Sequence, residues 1–204
     1  MRMARLVEEN TMKRMAIALT LALGALSMGS ASAAVITSEG VEGPYYHSEY
    51  SAAADGREFL VEVRGVPFAG MSQEAFDQAL MAVLISARPS QPAAQFTTRP
   101  VSGNVDPAYR LVLVFGPARN LAFETQCRGV DKARFEPVAA GEVKVSATFC
   151  RKDDLMSRAI ARTSATSIDD PAFRQMFVEL FPVLFPLRNP LQDGDNNRRS
   201  HRRR

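Results

Sequence analysis

The stretch "EVKVSATFCRKDD", residues 142–154, carries the reading of this chain. Val143, Val145, Ala147 and Phe149 alternate with Glu142, Lys144, Ser146 and Thr148, the period-two pattern of a strand with one face in a core and the other toward water. The run ends on Cys150, and the chain holds just one other cysteine, Cys127. The alternation turns Cys150 away from the core face, so a link between two strand ends fits it better than a buried thiol.

Working outward, "YRLVLVF" (109–115) sets Tyr109, Leu111, Leu113 and Phe115 against Val112 and Val114. Two apolar faces are the mark of a central strand. In "REFLVEVRG" (57–65) Phe59, Val61 and Val63 share one side, giving a half-buried strand closed by Gly65 and Pro67. The segment "LAFETQC" (121–127) reads as a weaker strand ending on Cys127. Between strands, "SQEAFDQALMAVLISA" (72–87) opens at an N-cap serine, Ser72, with Glu74 in its first turn, and puts Phe76, Leu80, Val83 and Leu84 on one helical face. "DDPAFRQMFVELF" (169–181) has Asp170 as N-cap and Pro171 at the first helical position, followed by the stripe Phe173, Met176, Phe177 and Leu180. "DDLMSRAIAR" (153–162) reads as a short helix with acidic residues at its start.

The remaining segments are irregular. Residues 90–108 form a proline-punctuated loop with a short extended piece at "AQFTT", long for a compact domain. Pro182, Pro186 and Pro190 stand four apart in "LFPVLFPLRNPL" (180–191), a spacing that does not continue a helix. That segment is expected to be a strap laying Phe185 and Leu187 over the core, or a surface for docking. The expected fold is a single α+β domain over 57–191, with a small, mostly antiparallel sheet of three to five strands packed on one side by the two helices around Phe76 and Phe177.

The ends differ from the body. Residues 1–33 contribute a net +2 and "RRSHRRR" (198–204) contributes +5, so the overall +3 leaves residues 34–197 at −4. A high isoelectric point therefore reports the ends and does not point to a nucleic-acid surface. "MKRMAIALTLALGALSMGSASAA" has a basic start, an uncharged apolar core of about 14 residues and an A-x-A site at Ala31 and Ala33, the pattern of a secretory signal peptide. Its core is shorter than the roughly 20 residues that span a bilayer. Residues 1–33 are read as the leader, with Met12 as an alternative start. Residues 34–56 are read as a flexible lead-in and 192–204 as a disordered arginine-rich tail. Export places the chain in an oxidising compartment, periplasmic or secreted, where Cys127 and Cys150 are expected to pair.

Catalytic patterns fail one by one. A Cys–His nucleophile needs an adjacent histidine, and outside the leader there are only His47 and His201. Two cysteines 23 positions apart match no usual zinc spacing. Ser72 lacks the second glycine of a nucleophile elbow, and no phosphate-cradling glycine loop is present. The acidic pairs Asp153–Asp154 and Asp169–Asp170 stand where helices are expected to begin, so they read as caps rather than a glycosidase couple. No catalytic residue, cofactor or metal ligand is assigned. Two features point instead to binding: the strip Tyr45, Tyr46, His47 and Tyr50 in "GPYYHSEY", and the guanidinium groups of Arg198, Arg199, Arg202, Arg203 and Arg204, which suit an anionic surface.

The combination "VRGVPF", "YRLVLVF", "VSATFCRKDDLMSR", "DPAFRQM" and "LFPLRNP" resembles a group of small exported alphaproteobacterial proteins without an assigned function, over roughly Phe59 to Pro190. The resemblance implies no activity, substrate or site residue. The function expected is a non-catalytic envelope protein that binds a protein partner or an anionic envelope surface. The alternatives are an enzyme whose site no spacing reveals and a carrier of a small ligand.

Overall fold

A computed structural model describes residues 34–129, 131 and 133–192. The leader, Met12 and the five tail arginines from Arg198 to Arg204 lie outside the described residues. Among those described, one six-stranded sheet and four helices form an α+β unit. In chain order these are β1 (Val35–Val41), α1 (His47–Ala54), β2 (Glu58–Arg64), α2 (Gln73–Ala87), β3 (Gln95–Thr97), β4 (Val105–Phe115), α3 (Phe123–Arg128), β5 (Glu142–Arg151), β6 (Asp154–Ser164) and α4 (Pro171–Leu184).

The strand order is β1-β6-β5-β4-β2-β3. Pairing is antiparallel from β1 to β4 and parallel where β2 meets β4 and β3. The sheet is therefore mixed, not mostly antiparallel, and has one strand more than the expected maximum. The reason is the long connection from β2 to β3. It contains α2, and a parallel neighbour is reached only by such a crossover.

Both expected helices start as their caps dictate. Ser72 Oγ accepts from Ala75 N at 3.2 Å, and Asp170 Oδ1 accepts from Ala172 N at 2.9 Å. α4 nevertheless runs through Pro182 to Leu184, against the expectation that the prolines end it. The ring removes one amide donor near the helix end, and Phe185 N still donates to Phe181 O at 2.8 Å. One lost bond at a terminus is tolerable where Phe177, Leu180, Phe181 and Leu184 are all buried.

Four further segments depart from their expected form. "DDLMSRAIAR" is strand β6, not a helix. It is flanked by β1 and β5, and its core face presents Ser157, Ala159, Ala161 and Thr163, a row of small side chains. That row lets α4 sit close: Ser157 Oγ donates to Leu184 O at 2.5 Å and Thr163 Oγ1 to Ala172 O at 3.5 Å. The alanines that suggest helix serve here as a seat for one. "LAFETQC" supplies helix α3, not a strand. The lead-in 34–56 holds β1 and α1, so the domain begins near Val35 rather than at residue 57. Edge pairing needs only backbone groups, so β1 forms without an apolar alternation. A Cβ at Gly40 would stand 2.9 Å from Arg158 Nε, so a larger residue there would push the guanidinium aside. The loop 90–108 is shortened by β3, which includes part of "AQFTT", and by the early start of β4.

Both faces of the sheet are covered in the middle. On the main face α1, α2 and α4 enclose a core rich in aromatic rings, among them Tyr45, Tyr50, Phe59, Phe76, Phe149, Phe173 and Phe177. On the opposite face α3 covers Val112, Val114, Cys150 and Leu155. Ser146 and Thr148, expected to face water, are buried beneath it, and Gln126 Nε2 donates to Ser146 Oγ at 2.8 Å. Cys127 of α3 and Cys150 of β5 stand at disulfide distance, with Cα atoms 5.5 Å apart. The bridge thus ties a helix to the sheet and does not join two strand ends, as the alternation predicts. Arg110 reinforces it by donating to Cys127 O and, at 2.8 Å, to Lys152 O, while its Nε lies 3.2 Å from Glu62 Oε1.

Candidate docking groove

The strap after α4 folds back on the segment that leads into α1. Asn189, only 6% exposed, makes the join. Its Nδ2 donates to Glu42 O at 2.9 Å and to Tyr45 O at 3.1 Å, and its Oδ1 accepts from Leu191 N at 2.9 Å. Gln192 Nε2 adds a bond to Gly43 O at 3.0 Å. A side-chain amide with two donors and an acceptor is suited to this task, because each irregular strand of chain leaves main-chain groups that need partners.

Tyr45 fixes the strap from the other side. Its hydroxyl donates to Pro186 O at 2.9 Å and lies 3.4 Å from His47 Nδ1. Burial pushes the Tyr45 phenol above its ordinary range, so it stays a donor at any physiological pH.

Between α1, the Pro89–Pro92 turn and the end of α4 lies a groove of about 510 Å³. Its walls are apolar: Pro89, Pro92, Pro182, Phe185, Pro186 and Leu187. Tyr50 lines it too, with its ring stacked on Phe185 at a centroid distance of 3.7 Å. The Tyr50 hydroxyl is buried and has no hydrogen-bond partner. Burial raises this phenol above its ordinary range, partly offset by the Arg88 charge. At His47 and Leu187 the groove meets a second concavity of about 620 Å³ with a more polar lining that includes Ser48, Ser51 and Asn189. Leu187, at 80% exposure, stands on the rim between them.

The sequence strip Tyr45, Tyr46, His47 and Tyr50 is therefore divided. Tyr45 and Tyr50 belong to the core, Tyr46 is exposed, and His47 faces the groove. The contributions of Pro89, Pro92 and Asn189 were not legible, since nothing in a linear pattern says that residues about 40 and 140 positions from His47 will meet it. The repeated prolines were the one available signal. Asp153 and Asp154 stand at the β5–β6 turn and not at a helix start, and Asp154 lies 3.8 Å from Arg151. Asp170 does cap α4.

A polar cleft of about 480 Å³ opens beside the outer face of β2. Its arginines are largely matched: Arg110 with Glu62, Arg64 with Asp131, and Arg99 with Glu74. Asp77 lines it as well, its carboxyl raised by burial and held by Gln73 Nε2 at 2.7 Å. Paired charges of this kind are a solvated surface network. Among the described residues there is no group of three or more His, Cys, Asp or Glu placed to hold a metal ion, and no helix long and apolar enough to cross a membrane. No protein-family model matches the chain, and a search of curated proteins gives no match.

Proposed function

We propose that this chain is an exported, non-catalytic binding protein that engages a protein partner through the groove between α1 and the proline strap. The reading is supported by one observation above others: a concave apolar surface walled by Pro92, Pro182, Phe185 and Pro186, with an exposed leucine on its rim. Folded proteins seldom present an apolar concavity without a use for it. The interior between sheet and helices is filled by aromatic side chains, which favours a surface site over an enclosed carrier cavity. Export rests on the leader pattern, the cysteine pair and the resemblance to small exported alphaproteobacterial proteins. Arg198, Arg199, Arg202, Arg203 and Arg204 would add affinity for an anionic envelope surface, about 1 kcal/mol for each basic residue close to it.

The test is a photo-crosslinking residue placed at Leu187 in the native cells, with the 87%-exposed Val101 as control. A discrete adduct at position 187 that is competed away by unlabelled wild-type protein, and is absent at 101, is the expected result. No adduct at 187, or the same adducts at both positions, overturns the reading.

A further inference from the structure

We infer that the strap rests on a bilayer of anionic phospholipid, with Tyr46 and Leu191 set into the interface and Arg188 and the five tail arginines on its phosphate groups. This surface lies on the far side of Leu187 from the docking groove. The inference therefore goes beyond the docking reading and does not depend on the groove's partner.

Tyr46 and Leu191 are large apolar side chains left 51% and 59% exposed. They belong to the two segments that Asn189 and Gln192 tie together through the carbonyls of Gly43 and Tyr45. Tyr46, Arg188 and Gln192 line the concavity formed where these segments meet. Among the described residues, none of those lining this concavity or the adjoining groove is an Asp or Glu, although residues 34–197 as a whole stand at −4. Glu42 and Glu49, on either side of Tyr46 in the chain, are paired with Arg158 at 3.3 Å and Arg151 at 3.1 Å. An apolar face without carboxylates, in a body that carries an excess of them, suits a negatively charged surface.

The basic end of the chain departs from this same place. Twelve residues follow Gln192, with two aspartates and five arginines among them, so 193–204 carry +5 − 2 = +3. A chain spans at most about 3.5 Å per residue, which keeps Arg198 within about 20 Å of Gln192 and Arg204 within about 40 Å by any path. The arginines are thus tethered beside the exposed apolar side chains. Guanidinium groups pair with phosphate through two parallel hydrogen bonds, and tyrosine is at home in the head-group layer. A protein partner would need a fitted pocket for each protruding side chain, whereas a bilayer accepts them at any spacing. Buried apolar area and attraction to anionic lipid add together in surface binding, and each alone is weak.

The experiment is cosedimentation of the chain from Ala34 to Arg204 with unilamellar vesicles, made either of phosphatidylcholine alone or of equal parts phosphatidylcholine and phosphatidylglycerol. At about 0.1 M salt the anionic vesicles should be bound at least about tenfold more tightly, a preference that shrinks as salt rises. Removing residues 198–204 should weaken that binding by at least about tenfold. Tyr46→Ser combined with Leu191→Ser should weaken it by about tenfold as well. Both side chains are exposed, so the melting temperature of the paired variant should not change. As an independent measure, an environment-sensitive dye on Leu191→Cys should shift to the blue on anionic vesicles and be quenched by brominated lipid, while the same dye on Val101→Cys should do neither. Equal binding to the two vesicles, full binding by the paired serine variant, or a dye at position 191 that still reports water overturns the inference. So does binding to soluble polyphosphate as tight as to vesicles, which would make the ligand a phosphorylated polymer. If no vesicle binds but Leu187 still crosslinks a protein, only this inference falls; if vesicles bind and the crosslink is absent, only the docking reading falls.

Discussion

The ring of Tyr50 lies flat against Phe185, with centroids 3.7 Å apart and planes 9° apart, and joins the first helix to the strap that follows the last one. Phe59 and Phe149 meet Tyr50 edge-on at 5.6 and 5.9 Å, so the ring is held from the sheet as well. The hydroxyl at its tip gains nothing from this packing.

Tyr50→Phe is therefore expected to keep the fold and to raise its stability by ~1 kcal/mol, because it removes a buried group that lacks a partner. Urea denaturation of the two proteins measures it. A loss of stability of similar size would show that the hydroxyl is bonded within the folded chain.

Removing the cysteine pair should act differently. The bridge closes a loop of 24 residues from Cys127 to Cys150, for which the chain-entropy account gives about 3 kcal/mol. Cys127→Ala with Cys150→Ala should lower stability by that order without altering the sheet. The first consequence should be loosening of α3 over Ser146 and Thr148, seen as faster amide exchange at residues 123–128. Protein taken from its natural compartment and denatured without reductant should take up no alkylating reagent.

Asn189→Ala tests the clamp on the strap. The substitution removes one donor from each of the Glu42 and Tyr45 carbonyls, which keep Tyr45 N at 3.1 Å and Gln192 Nε2 at 3.3 Å respectively, and takes the acceptor from Leu191 N; each lost hydrogen bond is worth about 0.5–1.5 kcal/mol. A destabilisation of ~2 kcal/mol is expected, with increased exchange in residues 185–192. An unchanged protein would mean that Pro186 and Gln192 suffice.

Glu58 gives a prediction in pH. Its carboxylate accepts from Val101 N at 3.1 Å, from Ser102 N at 3.0 Å and from Ser102 Oγ at 2.6 Å, and these bonds hold its pKa below the ordinary 4.5. A carboxyl depressed on folding contributes stability that is complete above the unfolded value and is lost as pH falls through the folded one. The turn 99–104 should thus stay fastened until the pH falls below the ordinary carboxyl range, whereas Glu58→Gln, which has no proton to gain, should be looser already at neutral pH and show no such step. An NMR titration of the Glu58 side chain that gave an ordinary or raised pKa would contradict this.

Patterns of local origin are legible in the sequence. The alternation of Val143, Val145, Ala147 and Phe149, the doubly apolar run of β4, and the caps Ser72 and Asp170 each depend on neighbours within a few residues, and each takes the form its pattern predicts. β6 does not, because Ala159 and Ala161 satisfy helix and strand alike, and the choice belongs to β1, β5 and α4 around them. α3 is illegible for a related reason: six residues hold too little helical period, and its form follows from lying over β5 with Cys127 against Cys150.

The amino-acid order alone determined that a half-buried sheet would form under two amphipathic helices, since burying apolar faces at periods of two and 3.6 needs no distant information. Which strands are neighbours, which residues form the second core beneath α3, and that Tyr50, Pro92 and Leu187 gather around one groove were decided by the tertiary structure. The physical reason is range: periodicity and capping act along a few residues of chain, whereas strand order, parallel pairing and the meeting of Asn189 with Glu42 arise only when the whole chain closes on itself.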